Sequence, residues 1–328
     1  MHLPEWVTII YDLLIFTGMT LIYISEAIIL TFIPRRYRSK SIKGEIALIT
    51  GGAGGIGRLI AIKLANLGAH INYSRLRELS GLNDTVQEIR RNGGKCWGYY
   101  CDITNREEIY KIAKIVQIEV GSVTLLVNNA GYVYGKTLWE LPDDEIVRTY
   151  RVNILSHYWI TKAFMRDMMK NNHGHIVTVA SVAGLLGTYN CTDYSATKFA
   201  AIGYHESLFT ELKAHNYNGI HATLVCPYFI NTGMFHGVKP RLMPMLEPEY
   251  VAQEIVSGIL VNQVIVVLPG SVRYLLPLKC LLPAKLCWAL MYHIIQGPQS
   301  MMMFKGRGEE QALKNNNNVT ITPKGTVH

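Results

Sequence analysis

The sequence predicts an α/β protein: a doubly wound parallel sheet forming a single domain, preceded by an N-terminal hydrophobic membrane anchor. Three observations predict this. Short apolar runs alternate with amphipathic stretches of helical length along most of the chain. A glycine-rich turn joins the first of those runs to the first predicted helix. The 328 residues are 49% hydrophobic, which suffices for one large core and an apolar appendage.

The predicted anchor occupies residues 1–34. Residues 6–33 are apolar over a length that can cross a bilayer, with only Asp12 and Glu26 interrupting them. A cleaved signal peptide would have a basic start and small residues at its end, and this segment has neither. The two acids leave open whether the segment spans the membrane or lies in one leaflet, and a buried core helix is the alternative to both.

Residues 35–44 form a basic linker after the anchor. Its cations attract anionic lipid and predict that the following domain, residues 45–270, faces the cytosol. No nucleic-acid-binding signature accompanies the net charge of +8, so we expect a membrane surface and no nucleic acid as the partner of these side chains. The cluster consists of Arg35, Arg36, Arg38, Lys40 and Lys43.

The first strand and helix of the domain enclose the glycine-rich turn. Residues 45–50 form a short apolar run, and Gly51, Gly55, Ile56 and Gly57 lead into an amphipathic helix. Glycines at this point let the backbone approach a pyrophosphate at the positive end of a helix. The unit therefore predicts Rossmann-like dinucleotide binding, with a bare structural turn as the alternative.

The second strand ends at Ser74 and Arg75, where an NAD-preferring site usually carries an acidic residue. An acid there repels a 2′-phosphate, whereas an arginine pairs with it. The sequence therefore favours NADP(H), with NAD(H) possible. The alternative is that Arg75 is solvated and the cofactor is recognised elsewhere.

The alternation continues with predicted strands over residues 95–101, 123–127 and 175–181. Asp102 follows the first of these and is placed either to meet the adenine or to cap the next helix. Asn129 lies in the N-N-A-G turn after the second. A long predicted helix over residues 143–170 contains Asn153, and the third strand ends at Ser181.

Tyr194 and Lys198 are four residues apart in a predicted helix that begins after Asn190, so both lie on one face. A fixed cation beside a phenol lowers its pKa by about 1 to 3 units, which would suit Tyr194 to acid–base work at neutral pH. Ser181 is placed to share a substrate oxygen with it. Alone, the pair is more commonly a half-buried ring beside a solvated stem.

Five motifs occur in order over about 230 residues: T-G-x-x-x-G-x-G from Thr50, N-N-A-G from Asn128, Asn153, Ser181 and Y-x-x-x-K from Tyr194. In the identity and order of these motifs, the sequence resembles the short-chain dehydrogenases/reductases. Through its apolar N-terminus and the later segments CPYFINTGMF and LEPEYVAQEIVSGIL, it is similar to their membrane-associated branch, which contains epidermal retinol dehydrogenase and lipid-droplet 17-beta-hydroxysteroid dehydrogenases.

The resemblance implies a role for each matched residue. Tyr194 would be the general acid/base, and Lys198 would lower its pKa and hold the nicotinamide ribose. Ser181 would orient the substrate oxygen, Asn153 would support a water relay to Lys198, and Thr232 would meet the nicotinamide carboxamide. Close relatives carry aspartate where Arg75 stands, so their NAD preference does not carry over.

The region after Pro227 supplies the expected substrate side. Its large apolar residues could line a substrate pocket or simply pack in the core. Residues 271–304 are again apolar but broken by Pro277 and Pro283, which predicts a segment that contacts membrane or covers the pocket. Residues 305–328 form a polar tail that we expect to be disordered. The apolar residues in question are Tyr228, Phe229, Met234, Phe235, Met243 and Met245.

Other site types have little support. The six cysteines form no metal or disulfide spacing, which suits a reducing compartment, and no metal site is predicted. His173 and His175 are expected to be turn and strand-edge residues rather than ligands.

Taken together, the sequence predicts an oxidoreductase that interconverts a lipophilic alcohol, such as retinol or a steroid, with its carbonyl. By the resemblance we expect it at the endoplasmic reticulum membrane or the lipid droplet, facing the cytosol, with a homodimer left open. The alternative is a non-catalytic, cofactor-binding scaffold on a lipid surface.

Overall fold

The computed structural model describes residues 4–75 and 80–306, and of residues 73–75 and 80–83 it describes the backbone alone. The chain divides into two units, Met1–Lys40 and Ser41–His328. The predicted tail from residue 307 onward lies outside the described residues.

The first unit consists of one long helix, α1 (Glu5–Phe32), and a short 3₁₀ turn, Arg35–Tyr37. The mean hydropathy of α1 is 2.0, and none of its residues is buried. The core-helix alternative is therefore wrong. Among the described residues, α1 is the one helix long and apolar enough to cross a membrane.

The second unit is built on one seven-stranded parallel sheet of order β3-β2-β1-β4-β5-β6-β7. The order reverses between β1 and β4, and ligands of such sheets bind at the carboxyl ends of the strands beside this point. The predicted fold class is confirmed. The strands are β1 (Ile46–Thr50), β2 (His70–Arg75), β3 (Cys96–Tyr100), β4 (Leu125–Asn128), β5 (Gly174–Val179), β6 (Ile220–Pro227) and β7 (Ile265–Leu268).

Helices cover both faces of the sheet and enclose two main cores. On one face α2 and α8 pack on each other, α2 over β1 and α8 over β6 and β7, and on the other α4 and α6 pack over β4 and β5. Every residue of β4 and β5 is buried, as expected of central parallel strands. The helices are α2 (Gly55–Asn66), α3 (Ser80–Arg91), α4 (Arg106–Glu119), α5 (Asp143–Tyr150), α6 (Ser156–Asn171), α7 (Thr192–Ala214) and α8 (Pro248–Leu260).

The predicted long helix over residues 143–170 is not continuous. A π turn, Arg151–Leu155, separates α5 from α6 and carries Asn153. A π turn inside a helical stretch frequently marks a functional site. Periodicity along the sequence does not distinguish this irregularity from regular helix.

The apolar C-terminal segment folds as short helices. They are α9 (Val272–Leu281), α10 (Ala284–Ala289), a π turn (Leu290–Ile295) and α11 (Gly297–Met301). Pro277 lies inside α9, and Pro283 precedes α10. No element of this segment is long enough to span a bilayer.

Candidate active site

The glycine-rich turn is tied to the end of β4 by Thr50, the last residue of β1. Its hydroxyl accepts hydrogen bonds from the backbone N–H groups of Asn129 and Ala130, each at 2.9 Å. In return, the Asn129 side-chain amide donates to the Thr50 carbonyl at 2.9 Å. These bonds join two predicted motifs, the glycine turn and N-N-A-G, into one rigid corner at the switch point of the sheet.

Close packing in this corner requires glycine. Gly51 has a φ of +68°, in the left-handed region that side chains disfavour. A Cβ at Gly57 would overlap the Gly51 carbonyl oxygen and lie 2.6 Å from the Asn129 amide nitrogen. No side chain caps the N-terminus of α2, which begins at Gly55. Its first N–H groups are therefore available to an anion.

Asn153 is fully buried, and both the oxygen and the nitrogen of its side-chain amide form hydrogen bonds. Its oxygen accepts from the Tyr132 backbone N–H at 2.7 Å, and its nitrogen donates to the Tyr132 carbonyl at 2.9 Å and to the Thr197 hydroxyl at 3.0 Å. The Thr197 hydroxyl donates in turn to the Tyr194 carbonyl at 2.7 Å. Asn153 thus braces α7 next to Tyr194, while its expected part in a water relay stays a prediction.

Tyr194, Lys198 and Ser181 lie together, as the sequence predicts. Tyr194 and Lys198 share a face of α7, and the Lys198 ammonium lies 5.6 Å from the centre of the Tyr194 ring. Lys198 donates to the Val179 carbonyl at 2.8 Å. The Ser181 hydroxyl accepts from the Ala183 backbone N–H at 3.1 Å, which fixes its position at the end of β5.

The expected lowering of the Tyr194 pKa is wrong for the protein alone. Burial raises the pKa of Tyr194, and the Ser181 hydroxyl lowers it by a smaller amount. Burial also lowers the pKa of Lys198 to about 8. The reason lies in the geometry: the ammonium lies over the ring face and donates to a carbonyl, and it is itself destabilised by the same burial that disfavours the phenolate.

A cleft of about 510 Å³ joins the glycine turn to these residues. It is lined by Gly51, Gly55, Ile56 and Gly57, by Asn129, and by Ser181, Tyr194, Lys198 and Thr232. The uncapped α2 N-terminus at the glycine turn fits the phosphates of a dinucleotide, and three cations, Arg148, Lys198 and Lys305, line the same cleft. The residues present therefore fit a nicotinamide dinucleotide.

A second, apolar cavity of about 810 Å³ adjoins the cleft. The C-terminal helices α9 to α11 supply much of its wall, including Leu275, Trp288 and Met291. Ser181, Tyr194, Tyr228 and Phe235 line both spaces. The hydroxyls of Ser181 and Tyr194 thus belong to residues at the boundary between the two spaces.

The apolar residues after Pro227 divide between the two predicted roles. Tyr228, Phe229, Phe235 and Met243 line the apolar cavity. Met234 lines the dinucleotide cleft instead, and Met245 packs against the core cluster around Tyr194.

Asp102, Ser74 and Arg75 are three further predicted cofactor contacts. Asp102 is not among the cleft residues: one of its oxygens accepts from the Thr104 backbone and hydroxyl at 2.9 and 2.7 Å. Asn105, not Asp102, caps α4 by accepting from the Glu108 backbone. Ser74 and Arg75 close β2 beside Thr50 and Tyr100, but their side chains lie outside the described residues.

His173 and His175 both form contacts within the protein. His173 lies 3.0 Å from the Glu45 carboxylate, and His175, on β5, bonds the Thr223 hydroxyl at 2.8 Å. Among the described residues no cluster of side chains could hold a metal ion.

The sequence motifs missed Arg148, Lys305 and the C-terminal wall. Met301 and Phe304 are buried in the cluster that contains Tyr194, and the chain there passes close to Gly135. Lys305 lies 73 residues beyond Thr232, the last residue to which the resemblance gives a role, and no local pattern marks it. Only the apolar character of residues 271–304 gave a signal, which the prediction of a pocket-covering segment used.

The comparison with family models gives the same result as the geometry. The short chain dehydrogenase model matches residues 45–242, more than half of the chain. The chain belongs to the short-chain dehydrogenase/reductase family.

Relatives within this family are similar over most of their length. Short-chain dehydrogenase/reductase family 16C member 6 of Bos taurus is 43% identical over 275 residues, covering 83% of this chain and 86% of that protein. Epidermal retinol dehydrogenase 2 of Mus musculus is 41% identical, covering 84% and 89%. Estradiol 17-beta-dehydrogenase 11 of Homo sapiens is 41% identical, covering 84% and 90%.

Solved structures of the family share the fold. A short-chain dehydrogenase/reductase from Burkholderia phymatum in complex with NAD has a TM-score of 0.67 and 25% identity, covering 74% of this chain and 94% of that one. A metagenomic short-chain oxidoreductase in complex with NADP has a TM-score of 0.58 and 28% identity, covering 70% and 97%. These neighbours support a nicotinamide cofactor without deciding between its two forms.

Proposed function

We propose that this protein interconverts a lipophilic alcohol, of the retinoid or steroid class, with its carbonyl compound, using NADP(H) or NAD(H). The observation that carries the proposal is the position of Tyr194 and Ser181 at the boundary between the dinucleotide cleft and the apolar cavity. A substrate oxygen at that boundary can meet both hydroxyls while its apolar body fills the larger space. The retinol and estradiol dehydrogenases among the relatives support the substrate class.

Each residue then has a defined task. Tyr194 exchanges a proton with the substrate oxygen, and Ser181 holds that oxygen in place. Because burial raises the pKa of Tyr194, the phenol of the protein alone is protonated and suited to donate to a carbonyl oxygen. A bound nicotinamide would supply the hydride acceptor or donor. Asn153 braces Thr197 and thereby the turn of α7 that carries Tyr194.

The anchor and the cofactor preference belong to the same proposal. The apolar helix α1 and the basic cluster after it support attachment to a membrane or a lipid droplet, where an apolar substrate is concentrated. The endoplasmic reticulum is the membrane that the resemblance favours. Arg75 at the end of β2 favours NADP(H), since a guanidinium pairs with a 2′-phosphate.

The test is the Tyr194→Phe variant, assayed in membranes against retinoids, steroids and fatty alcohols with each cofactor. We expect kcat to fall by about 10²- to 10⁴-fold with cofactor affinity retained, because only the proton-transfer group is removed. Tyr217→Phe, which removes a phenol outside both cavities, should behave as wild type.

Two outcomes would contradict the proposal. Retained activity of Tyr194→Phe would remove the mechanism. A wild-type protein that binds cofactor but turns over no member of the panel would favour the scaffold alternative.

A further inference from the structure

Six buried polar side chains lie together between β4, β5, α6 and α7, and none of them lines the cleft or the apolar cavity. Hydrogen bonds join five of them in two groups, and His157 forms none in the described part of the chain. The Thr161 hydroxyl receives bonds from Tyr204 at 2.7 Å and Asn128 at 3.2 Å, and His205 bonds the Thr178 hydroxyl at 3.0 Å. We call this set the histidine cluster: Asn128, His157, Thr161, Thr178, Tyr204 and His205.

The histidine cluster contains four polar atoms that have no hydrogen-bond partner in the described part of the chain. They are both ring nitrogens of His157, Nε2 of His205 and Oδ1 of Asn128. His157 is 1% exposed, His205 2% and Asn128 0%. Each such atom left unpaired costs about 1–3 kcal/mol, and proteins usually satisfy buried polar groups of this kind with ordered water. Four of them in one place indicate a buried, hydrated site.

Lys198 and this site lie along the same side of α7. Lys198, Ala201 and His205 are buried and follow one another at spacings of three and four residues, so they share a face of the helix. Lys198 and His205 also bond neighbouring residues of β5, the Val179 carbonyl and the Thr178 hydroxyl. His157 comes four residues after Asn153, directly beyond the π turn. Burial, together with the charge of Lys198, lowers the pKa of His157 to about 3.

Both imidazoles are neutral at physiological pH, since burial also lowers the pKa of His205 to about 4. A neutral imidazole has one donor and one acceptor nitrogen, so each ring can hold and orient ordered water. Toward the surface, the Tyr204 ring meets the partly exposed Tyr158 ring edge-on, at 4.7 Å between centroids. The histidine cluster thus extends from the neighbourhood of Lys198 to the outside of α6.

We propose that His157 and His205 hold a chain of ordered water that carries the catalytic proton between Lys198 and the protein surface. The proposal rests on the proposed function. In carbonyl reduction the Tyr194 O–H bond breaks and an O–H bond forms on the substrate oxygen, while a bound nicotinamide would supply the hydride. Tyr194 is reset when Lys198 passes a proton to it, and Lys198 is reprotonated from solvent through the water that the two imidazoles hold. One proton enters per turnover, and alcohol oxidation reverses the direction.

The kinetic test uses the full-length protein and the His157→Phe and His205→Phe variants. Each removes the ring nitrogens while retaining a buried ring, so proton transfer becomes slow. We expect kcat to fall by about 10- to 100-fold, less than direct loss of the acid–base group. The solvent deuterium isotope effect on kcat should rise, with substrate KM and cofactor affinity little changed. His157→Gln, whose side-chain amide keeps a hydrogen-bond donor and an acceptor, should keep most of the wild-type kcat.

Ile160→Val is the matched control. Ile160 is buried on the same helix as His157, in the core on the face of the sheet opposite α2, and its side chain has no group that can transfer a proton. It should lower thermal stability without changing the isotope effect. Full activity and an unchanged isotope effect in both phenylalanine variants would overturn the proposal. If the phenylalanine variants do not fold, His157→Gln decides the matter. A rate of His157→Gln as low as that of Tyr194→Phe would exclude a relay through oriented water.

A second readout does not depend on turnover. A crystal structure of the full-length protein, at a resolution that shows ordered water, should place water against His157 and His205 Nε2. A dry histidine cluster overturns the relay even in an active enzyme. Wild-type protein with a hydrated cluster but no turnover of any alcohol would instead count against the proposed function.

Discussion

The hydroxyl of Thr50 offers a sharp test of how the cofactor corner is held. It is 1% exposed and accepts two backbone hydrogen bonds of 2.9 Å, from Asn129 and Ala130. The Thr50→Val variant keeps the shape of the side chain but leaves two buried N–H groups without an acceptor. At about 1–3 kcal/mol for each, we expect the free energy of unfolding to fall by about 2–6 kcal/mol.

Thr50→Ser is the matched control, because it keeps the acceptor and loses one buried methyl group. Its expected cost is about 1 kcal/mol. Equilibrium urea unfolding of the full-length variants, followed by tryptophan fluorescence, measures both values. The valine variant should also raise KM for the cofactor, since the turn that begins at Gly51 loses its tie to β4. If valine proves no more destabilising than serine, the two hydrogen bonds do not hold the corner.

Three further predictions concern charged residues. Arg75→Asp should weaken NADP(H) and improve NAD(H), and an unchanged ratio of kcat/KM for the two cofactors would show that Arg75 is uninvolved. Lys198→Met should raise the free energy of unfolding of the protein without cofactor at pH 7, and its difference from wild type should shrink toward pH 10. Burial lowers the pKa of Lys198 to about 8. Between this pKa and about 10.4, the ordinary pKa of a lysine, Lys198 is more protonated in the unfolded wild-type chain than in the folded one, so wild-type stability rises with pH. Chemical denaturation at several pH values measures this, and a constant difference would contradict it. Lys305→Gln should raise the KM for the cofactor by about 3- to 10-fold, because it removes about 1 kcal/mol of charge interaction. Lys170 is exposed and outside the cleft, so Lys170→Gln should leave this KM unchanged.

The sequence alone determined the fold class and most of the site. Periodic apolar runs predict strands and helices because each element buries one side or both, and the glycines near Gly51 and Gly57 satisfy a backbone requirement that no other residue meets. Tyr194, Lys198 and Ser181 could be predicted together because parallel strands deliver their carboxyl ends to one edge of the sheet.

Only the tertiary structure decided how the environment acts on these groups. The spacing of Tyr194 and Lys198 predicts a lowered phenol pKa, yet burial by distant segments outweighs it, since desolvation depends on everything packed around a group. The same holds for Lys305 and the C-terminal cavity wall, which reach the site from the far end of the chain. The histidine cluster likewise joins four elements, and its unpaired nitrogens become visible only when all four are in place.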